Sequence, residues 1–553
     1  MVPHLPAQAP DPRARQQQLD EARARLRYAW DQPPGIAMAA ELPHGEGYPA
    51  GVVARGAALA LATKANRAAG ALARAVRREG ETSLAGVLAP YRALFATVEA
   101  PPLAAVDPES ARADAVFAWQ RVAGASPLVI EGVDRLPDHF PVTQEAFAGA
   151  VGDGDTLDAA RAEGRLYLAS YALLDGIPAG TGEGARKHLE APLSLFVHRS
   201  GAGLSPVAIQ CAQRPGPGAP ILTPRDGVAW QLARAAVQVA DCTVQEIFFH
   251  LGRAHFLVEA FALATARQLA PAHPLSRLLG PHFEGTLAIN HGARTQLCVP
   301  GGKLEALLAP TLEASLALAR RGVESFRLDD ALLPADLRRR RVDDPSRLGD
   351  YPYRDDGLLV WDAIAAFVSD YVALHYADDA AVAADPELCA WTTEIRAEDG
   401  GRVRGFPARL ETRDALGSAL AWLVFTVSAQ HSALNYSQFE MMGYAPAMPA
   451  AGYAPSLGRD PAIDATLAWS RFLPPLALAA EQLDFFYEQS MVRVNQLGHY
   501  PAGHFHDARV APLVERFAAA LARAEETVAE RNRARFMPYP WLLPSSIPAS
   551  IHV

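Results

Sequence analysis

Cysteine is scarce in this sequence. Cys211, Cys242, Cys298 and Cys389 are spread over 553 residues with no CxxC pair. That excludes a disulfide-stapled scaffold and a structural zinc site built on thiolates, both of which need clustered cysteines. A reducing compartment fits, and an oxidising one is compatible. A basic excess is also missing: 51 Lys and Arg stand against 61 Asp and Glu, a net charge of −10. This disfavours a nucleic-acid partner, which needs a clustered basic face. No run approaches the ~18 uninterrupted apolar residues of a membrane span. The first thirty residues, MVPHLPAQAPDPRARQQQLDEARARLRYAW, are polar and charged and carry no basic stretch followed by an apolar core. They read as no signal peptide, so a soluble, cytoplasmic protein is expected.

What is present is apolar bulk. Half of the residues are hydrophobic, enough for one large core or several ordinary domains. Residues 12–30 read as a polar helix, and the alanine-rich stretch 50–78 as a helix with one partly basic face. The plain reading of the second is a helix packed on the core. The sharper one is a lid or membrane-surface helix over a lipid entrance. LYLAS, LSLFV and PVAIQ read as short strands, the last two flanking a glycine-containing turn. From Trp230 onward the pattern is almost entirely helical, with Pro and Gly marking the breaks, and a long amphipathic helix precedes the tail. The expected class is mainly α, with a few short strands and long central helices. The expected division is an N-terminal helical extension over 1–90 and a single large helical domain over 91–553.

The histidines carry the chemistry. His250 and His255 lie five apart in EIFFHLGRAHFLVEAF, and His431 and Asn435 four apart in VSAQHSALNYSQF. Together with the carboxylate of the last residue, Val553, they make a nitrogen and oxygen ligand set suited to a redox-active metal such as iron. At ~100° per residue, positions five apart on an ordinary helix diverge by about 140°. The spacing therefore predicts a local π-turn over Phe249 to His255, because i to i+5 bonding brings such positions onto nearly one face. The four-residue spacing of His431 and Asn435 needs no such distortion. HLGRAH is not the zinc-protease HExxH motif, being one residue longer and lacking its glutamate. His273, His282, His291 and His504 read as ordinary surface or satisfied core residues.

Six motifs in order resemble the lipoxygenase family: WQLARAAVQVAD, HLGRAHFLVEAFALATARQL, HPLSRLLGPHFEGTLAINHGARTQL, YPYRDDGLLVWDAI, SAQHSALNYSQF and RNRARFMPYPWLLPSSIPASI. The resemblance runs from LYLASYALLDGI to the C-terminus and implies the helical catalytic domain of that family. Nothing in the first 150 residues reads as the β-sandwich that larger members carry in front of it. It implies iron held by His250, His255, His431, Asn435 and the α-carboxylate of Val553. The family usually ends in isoleucine, but the ligand is the main-chain carboxylate, so valine preserves the chemistry. A fungal branch that uses manganese also ends in valine, and iron is the expected metal here.

The resemblance further implies that Glu246 and Gln438 form hydrogen bonds behind the ligands. It gives Ala293 the oxygen-steering position, where alanine favours S-hydroperoxides. Leu297 and Leu304 then flank the reactive carbon, Leu307 and Leu308 set pocket depth, and Cys242 leaves the pocket deeper. The implied reaction abstracts a bis-allylic hydrogen from a polyunsaturated fatty acid and adds O2 to the resulting radical. A hydroperoxide isomerase and a non-catalytic lipid-binding protein are the alternatives, with transient membrane-surface contact as a further expectation.

Overall fold

Asp11 opens the first helix. Its carboxylate accepts the N–H groups of Arg13 and Ala14 at 3.0 Å each, capping Pro12–Arg25. The computed structural model describes residues 2–75, 83–106, 110, 113–152, 154–216, 218–456 and 465–552. The helix expected over 12–30 stops early because Leu26 turns into the interior and Tyr28–Asp31 pairs antiparallel with Pro34–Ala39. This hairpin corrects the expectation of a purely helical N-terminal extension. Its Ile36 and Met38, with Val52 and Leu59 of the helix Ala50–Ala75, join the same core as the central helices. Apolar burial thus binds the hairpin and this helix into the main body.

A four-stranded antiparallel sheet follows, in the order Ile130–Gly132, Leu166–Ser170, Leu193–Arg199, Gly203–Gln210. The last two strands are those read from LSLFV and PVAIQ. Everything after Gly227 is helix and loop among the described residues.

The centre of the molecule is one helical rod in three parts: an α-helix Gly227–Thr243, a wide π-helix Val244–Phe256, and an α-helix Leu257–Gln268. The rod is buried nearly all round, its polar residues included, as in a helix enclosed on every side. This rod and Pro352–His375 are long and apolar enough to cross a membrane by length and composition, but the rod's apolar stretch is 89% buried inside the protein. Helix Pro352–His375 packs against Arg413–Phe425 and the long C-terminal helix Ala511–Ala534. Buried Asp356 anchors that last contact by accepting Arg531 at 2.9 Å and Arg535 at 2.5 Å.

The π-helix is clamped by Leu312–Glu324 through two glycines. A Cβ on Gly252 would lie 2.7 Å from the carbonyl oxygen of Ala319, and one on Gly322 would lie 2.8 Å from that of Phe248. Both obstacles are backbone, so neither yields by rotating a side chain. Gly322→Ala is therefore expected to destabilise the protein by ~1–3 kcal/mol and to lower its denaturant unfolding midpoint. A midpoint equal to that of the unsubstituted protein would mean that the two helices separate at no cost.

Candidate metal centre

Three imidazoles meet inside the molecule. His250 and His255 come from the π-helix, and His431 from the short helix His431–Asn435. Their Nε2 atoms lie 3.1 Å (250–255), 3.2 Å (255–431) and 3.4 Å (250–431) apart. All three residues are buried, at 5% exposure or less. The π-turn expected over Phe249 to His255 is present and longer, spanning Val244–Phe256. A second wide turn, Thr426–Gln430, leads directly into His431, and a third, Ala293–Leu297, begins at Ala293. Neither was foreseen, since the four-residue spacing of His431 and Asn435 asks for none.

The far side of each ring decides what the near side offers. His250 Nδ1 faces the Glu246 carboxylate at 3.2 Å, with Gln438 Nε2 3.1 Å away. Gln438 also donates to the same Glu246 carboxylate. His255 Nδ1 faces Asn290 Oδ1 at 2.9 Å, and Asn290 Nδ2 donates to the His255 carbonyl at 3.0 Å. Each of these Nδ1 atoms meets an acceptor, so it carries the proton and its Nε2 presents a lone pair. Asn290 is the residue that reading the sequence missed. Its one signal was its place three residues before Ala293 in AINHGART.

Converging lone pairs in a buried space are unfavourable unless a cation lies between them. Bonds of ~2.1 Å at right angles to one metal hold nitrogens ~3.0 Å apart, close to the spacing found. Asn435 adds a second sign of fit. It is fully buried, its Nδ2 donates to the Gln489 carbonyl at 2.9 Å, and its Oδ1 has no hydrogen-bond partner among the described residues. Three imidazole nitrogens and an amide oxygen suit iron in type.

The residues that precede Val553 form a buried tail. Ile547, Ala549, Ser550, Ile551 and His552 are all at most 2% exposed. Asn495 accepts Ala549 N–H at 2.9 Å, Ser550 Oγ donates to the Glu284 carbonyl at 2.9 Å, and His282 Nδ1 meets the Ala549 carbonyl at 2.7 Å. Val553 lies outside the described residues. Burial pushes the pKa of His282 down to about 4, so at neutral pH it is an uncharged core imidazole. His273 is likewise enclosed, on Asp385 at 2.9 Å. His504 meets the Arg277 carbonyl at 2.8 Å, and His291 meets Arg294 at 3.1 Å.

The expected pocket residues fall in the core. Cys242, Ala293, Leu304, Leu307 and Leu308 are buried in it, and Leu297 packs on its edge. Burial holds the Cys242 thiol well above its ordinary range, so it packs as a neutral group. A cavity of about 290 Å³ opens elsewhere, lined by Phe248, Phe249, Trp422, Phe425 and Leu434 with Arg253. It is walled by the histidine-bearing segments, but none of the three histidines, none of the five expected pocket residues and not Ala293 lines it.

With this geometry in view, residues 90–456 match the family model for lipoxygenase. The chain belongs to the lipoxygenase family. It is 42% identical to the linoleate 9/13-lipoxygenase of Pseudomonas aeruginosa over 486 residues, 84% of this chain and 69% of that protein. It is also 34% identical to the human hydroperoxide isomerase ALOXE3 over 448 residues, 80% of this chain and 62% of that protein. The chain thus spans about two thirds of the length of these relatives. Among solved structures, a lipoxygenase in complex with arachidonate superposes with a TM-score of 0.92 at 29% identity, covering all of this chain and 84% of the other. The helical lipoxygenase fold expected from the sequence is the fold observed.

In this lipoxygenase the Glu246–Gln438 pair is the sole described support behind His250 Nδ1. Gln438→Leu keeps the volume and removes the donor. Metal affinity is expected to fall ~10–100-fold, measured by titration against a competing chelator. Unchanged affinity would mean that Glu246 alone orients the ring.

Proposed function

We propose that this chain is a non-haem iron dioxygenase of polyunsaturated fatty acids. The observation that carries the reading is the three converging imidazole nitrogens, with the rings of His250 and His255 backed by acceptors on their outer sides. Iron would be held by Nε2 of His250, His255 and His431, by Asn435 Oδ1, and by the α-carboxylate of Val553; iron is preferred to manganese. Iron held there would supply a one-electron oxidant for hydrogen-atom removal from a bis-allylic carbon, the electron going to the metal and the proton to a base in the site; O2 would add to the pentadienyl radical, and return of the electron and proton would give the hydroperoxide.

The remaining tasks fall to this chain's own side chains. Glu246, Gln438 and Asn290 keep two imidazoles in the tautomer that presents Nε2 inward. Cys242, Leu297, Leu304, Leu307 and Leu308 would offer an apolar surface to the acyl chain. The methyl group of Ala293 would shield one end of the radical and direct oxygen to the face that yields an S-hydroperoxide. The related enzyme named for linoleate and the related structure holding arachidonate support this substrate class. On the helix Ala50–Ala75, Val53 and Leu61 are exposed at 57% and 69% beside Arg55 and Lys64. That face supports transient contact with a membrane surface, in keeping with a cytoplasmic protein that draws on lipid. Hydroperoxide isomerisation is the second reading, favoured by the 34% identity to the human isomerase.

Metal analysis with oxygen uptake on linoleate tests these readings together. One iron per chain and oxygen uptake are expected, both lost in His255→Ala, and uptake lost when one residue is appended after Val553. The appended residue moves the carboxylate by ~3.5 Å. Consumption of a lipid hydroperoxide without oxygen uptake would select the isomerase reading. Full uptake in His255→Ala would end the metal assignment.

Ala293→Gly removes one methyl group at a cost of ~1 kcal/mol or less in a helical position, so fold and metal are expected to survive. Chiral chromatography should then show products moving toward the R-hydroperoxide and toward another carbon of the same diene. An unchanged profile at retained turnover would place oxygen steering elsewhere.

A further inference from the structure

Glu259 lies one turn beyond His255 and is 1% exposed. One carboxyl oxygen, Oε1, accepts the Ala39 N–H at 2.7 Å. That N–H belongs to the last residue of the hairpin strand Pro34–Ala39, so the N-terminal hairpin ends on the helix that carries two of the three clustered histidines. The other oxygen, Oε2, is buried without a well-formed hydrogen bond among the described residues. The Asn290 amide lies beside this carboxyl and favours its charged form, as does Arg294 from further off. Arg294 in turn donates to the Ala40 carbonyl at 3.4 Å. Ala39 and Ala40 therefore tie Glu259 to Arg294, the residue after Ala293.

A buried carboxyl needs a reason for its place, because removing it from water costs several kcal/mol unless it is paired or neutral. Among the described residues Glu259 has no ion pair. Burial raises its pKa to about 7 against the pull of Ala39 N–H, Asn290 and Arg294. What it touches explains its presence. Asn290 is the residue whose Oδ1 receives His255 Nδ1 and whose Nδ2 holds the His255 carbonyl. An asparagine amide can turn over, and turning this one would point a donor at His255 Nδ1 and reverse the tautomer. A polar group beside it fixes its sense.

We propose that Glu259 is a positioning residue for the metal centre: through Asn290 it fixes the orientation of His255, and through Ala39 it couples that orientation to the N-terminal hairpin. The inference rests on the metal-binding reading above and requires nothing about the lipid. It needs acceptor oxygens at 259 facing both the Ala39 N–H and the Asn290 amide N–H; Gln keeps one such acceptor and Leu keeps none.

The test uses the full chain loaded with iron. Iron release to a chelator is timed, and the low-temperature EPR spectrum of the oxidised protein is recorded. Glu259→Gln, which keeps one acceptor oxygen, should lie between the unsubstituted protein and Glu259→Leu in both. Glu259→Leu should release iron about 10–100-fold faster and alter the spectrum, a change that loss of stability alone does not produce. Ala39→Pro removes only the N–H while keeping an extended backbone. It should accelerate release several-fold in the unsubstituted background and have no further effect in Glu259→Leu, as expected for two members of one chain of contacts. If Glu259→Leu does not fold, Ala39→Pro decides alone.

Release and spectrum unchanged in Glu259→Leu would overturn the proposal. So would equal damage from Gln and Leu, or an inert Ala39→Pro. An unsubstituted protein that takes up no iron would sink the metal-centre reading itself, a result distinct from any of these.

Discussion

Three imidazole nitrogens within 3.4 Å of one another, all with buried rings, are the arrangement on which the rest of this molecule depends. Lone pairs brought together away from water repel, and that repulsion is relieved by a cation at their centre. The protein must hold the rings in this disposition before any cation arrives, and it does so from behind. Glu246, itself held by Gln438, fixes His250, Asn290 fixes His255, and the acceptor behind each ring sets which of its nitrogens is protonated. A metal site of this kind is as much a matter of the outer hydrogen bonds as of the ligands.

The rings can converge because the helices that carry them are wide. An ordinary α-helix would turn His250 and His255 to different faces. The π-helix Val244–Phe256 puts both on one side. Such a segment has poorer internal hydrogen bonding, so packing must hold it. Burial on nearly every side does this, with the close crossing at Gly252 and Gly322, where two backbones meet with no side chain between them. The same device recurs at Thr426–Gln430 before His431 and at Ala293–Leu297, so the three helical segments expected to meet metal or oxygen each contain or adjoin a widened turn.

Segments near both ends of the described chain are also drawn into the interior. The hairpin Tyr28–Ala39 reaches Glu259 with a main-chain N–H, and the C-terminal tail is drawn inward by Asn495, Ser550 and His282. The helix Ala511–Ala534 that delivers the tail is pinned to Pro352–His375 by buried Asp356. Sites closed by distant chain segments couple metal binding to completion of the fold.

Sequence pattern alone determined the helical class, the strands LSLFV and PVAIQ, the histidine set and the need for a widened turn. The reason in each case is local: hydrophobic period, turn residues, and a five-residue spacing that an ordinary helix cannot serve. The family resemblance supplied Glu246 and Gln438, and the structure places both against His250. The hairpin at residues 28–39, the extra wide turns, and the parts played by Asn290 and Glu259 were decided by tertiary structure. Strands of four and six residues carry too little periodicity to read. A wide turn without a paired-ligand spacing leaves no trace in composition. An asparagine behind a histidine 35 positions away is visible only once folding has brought the two to 2.9 Å.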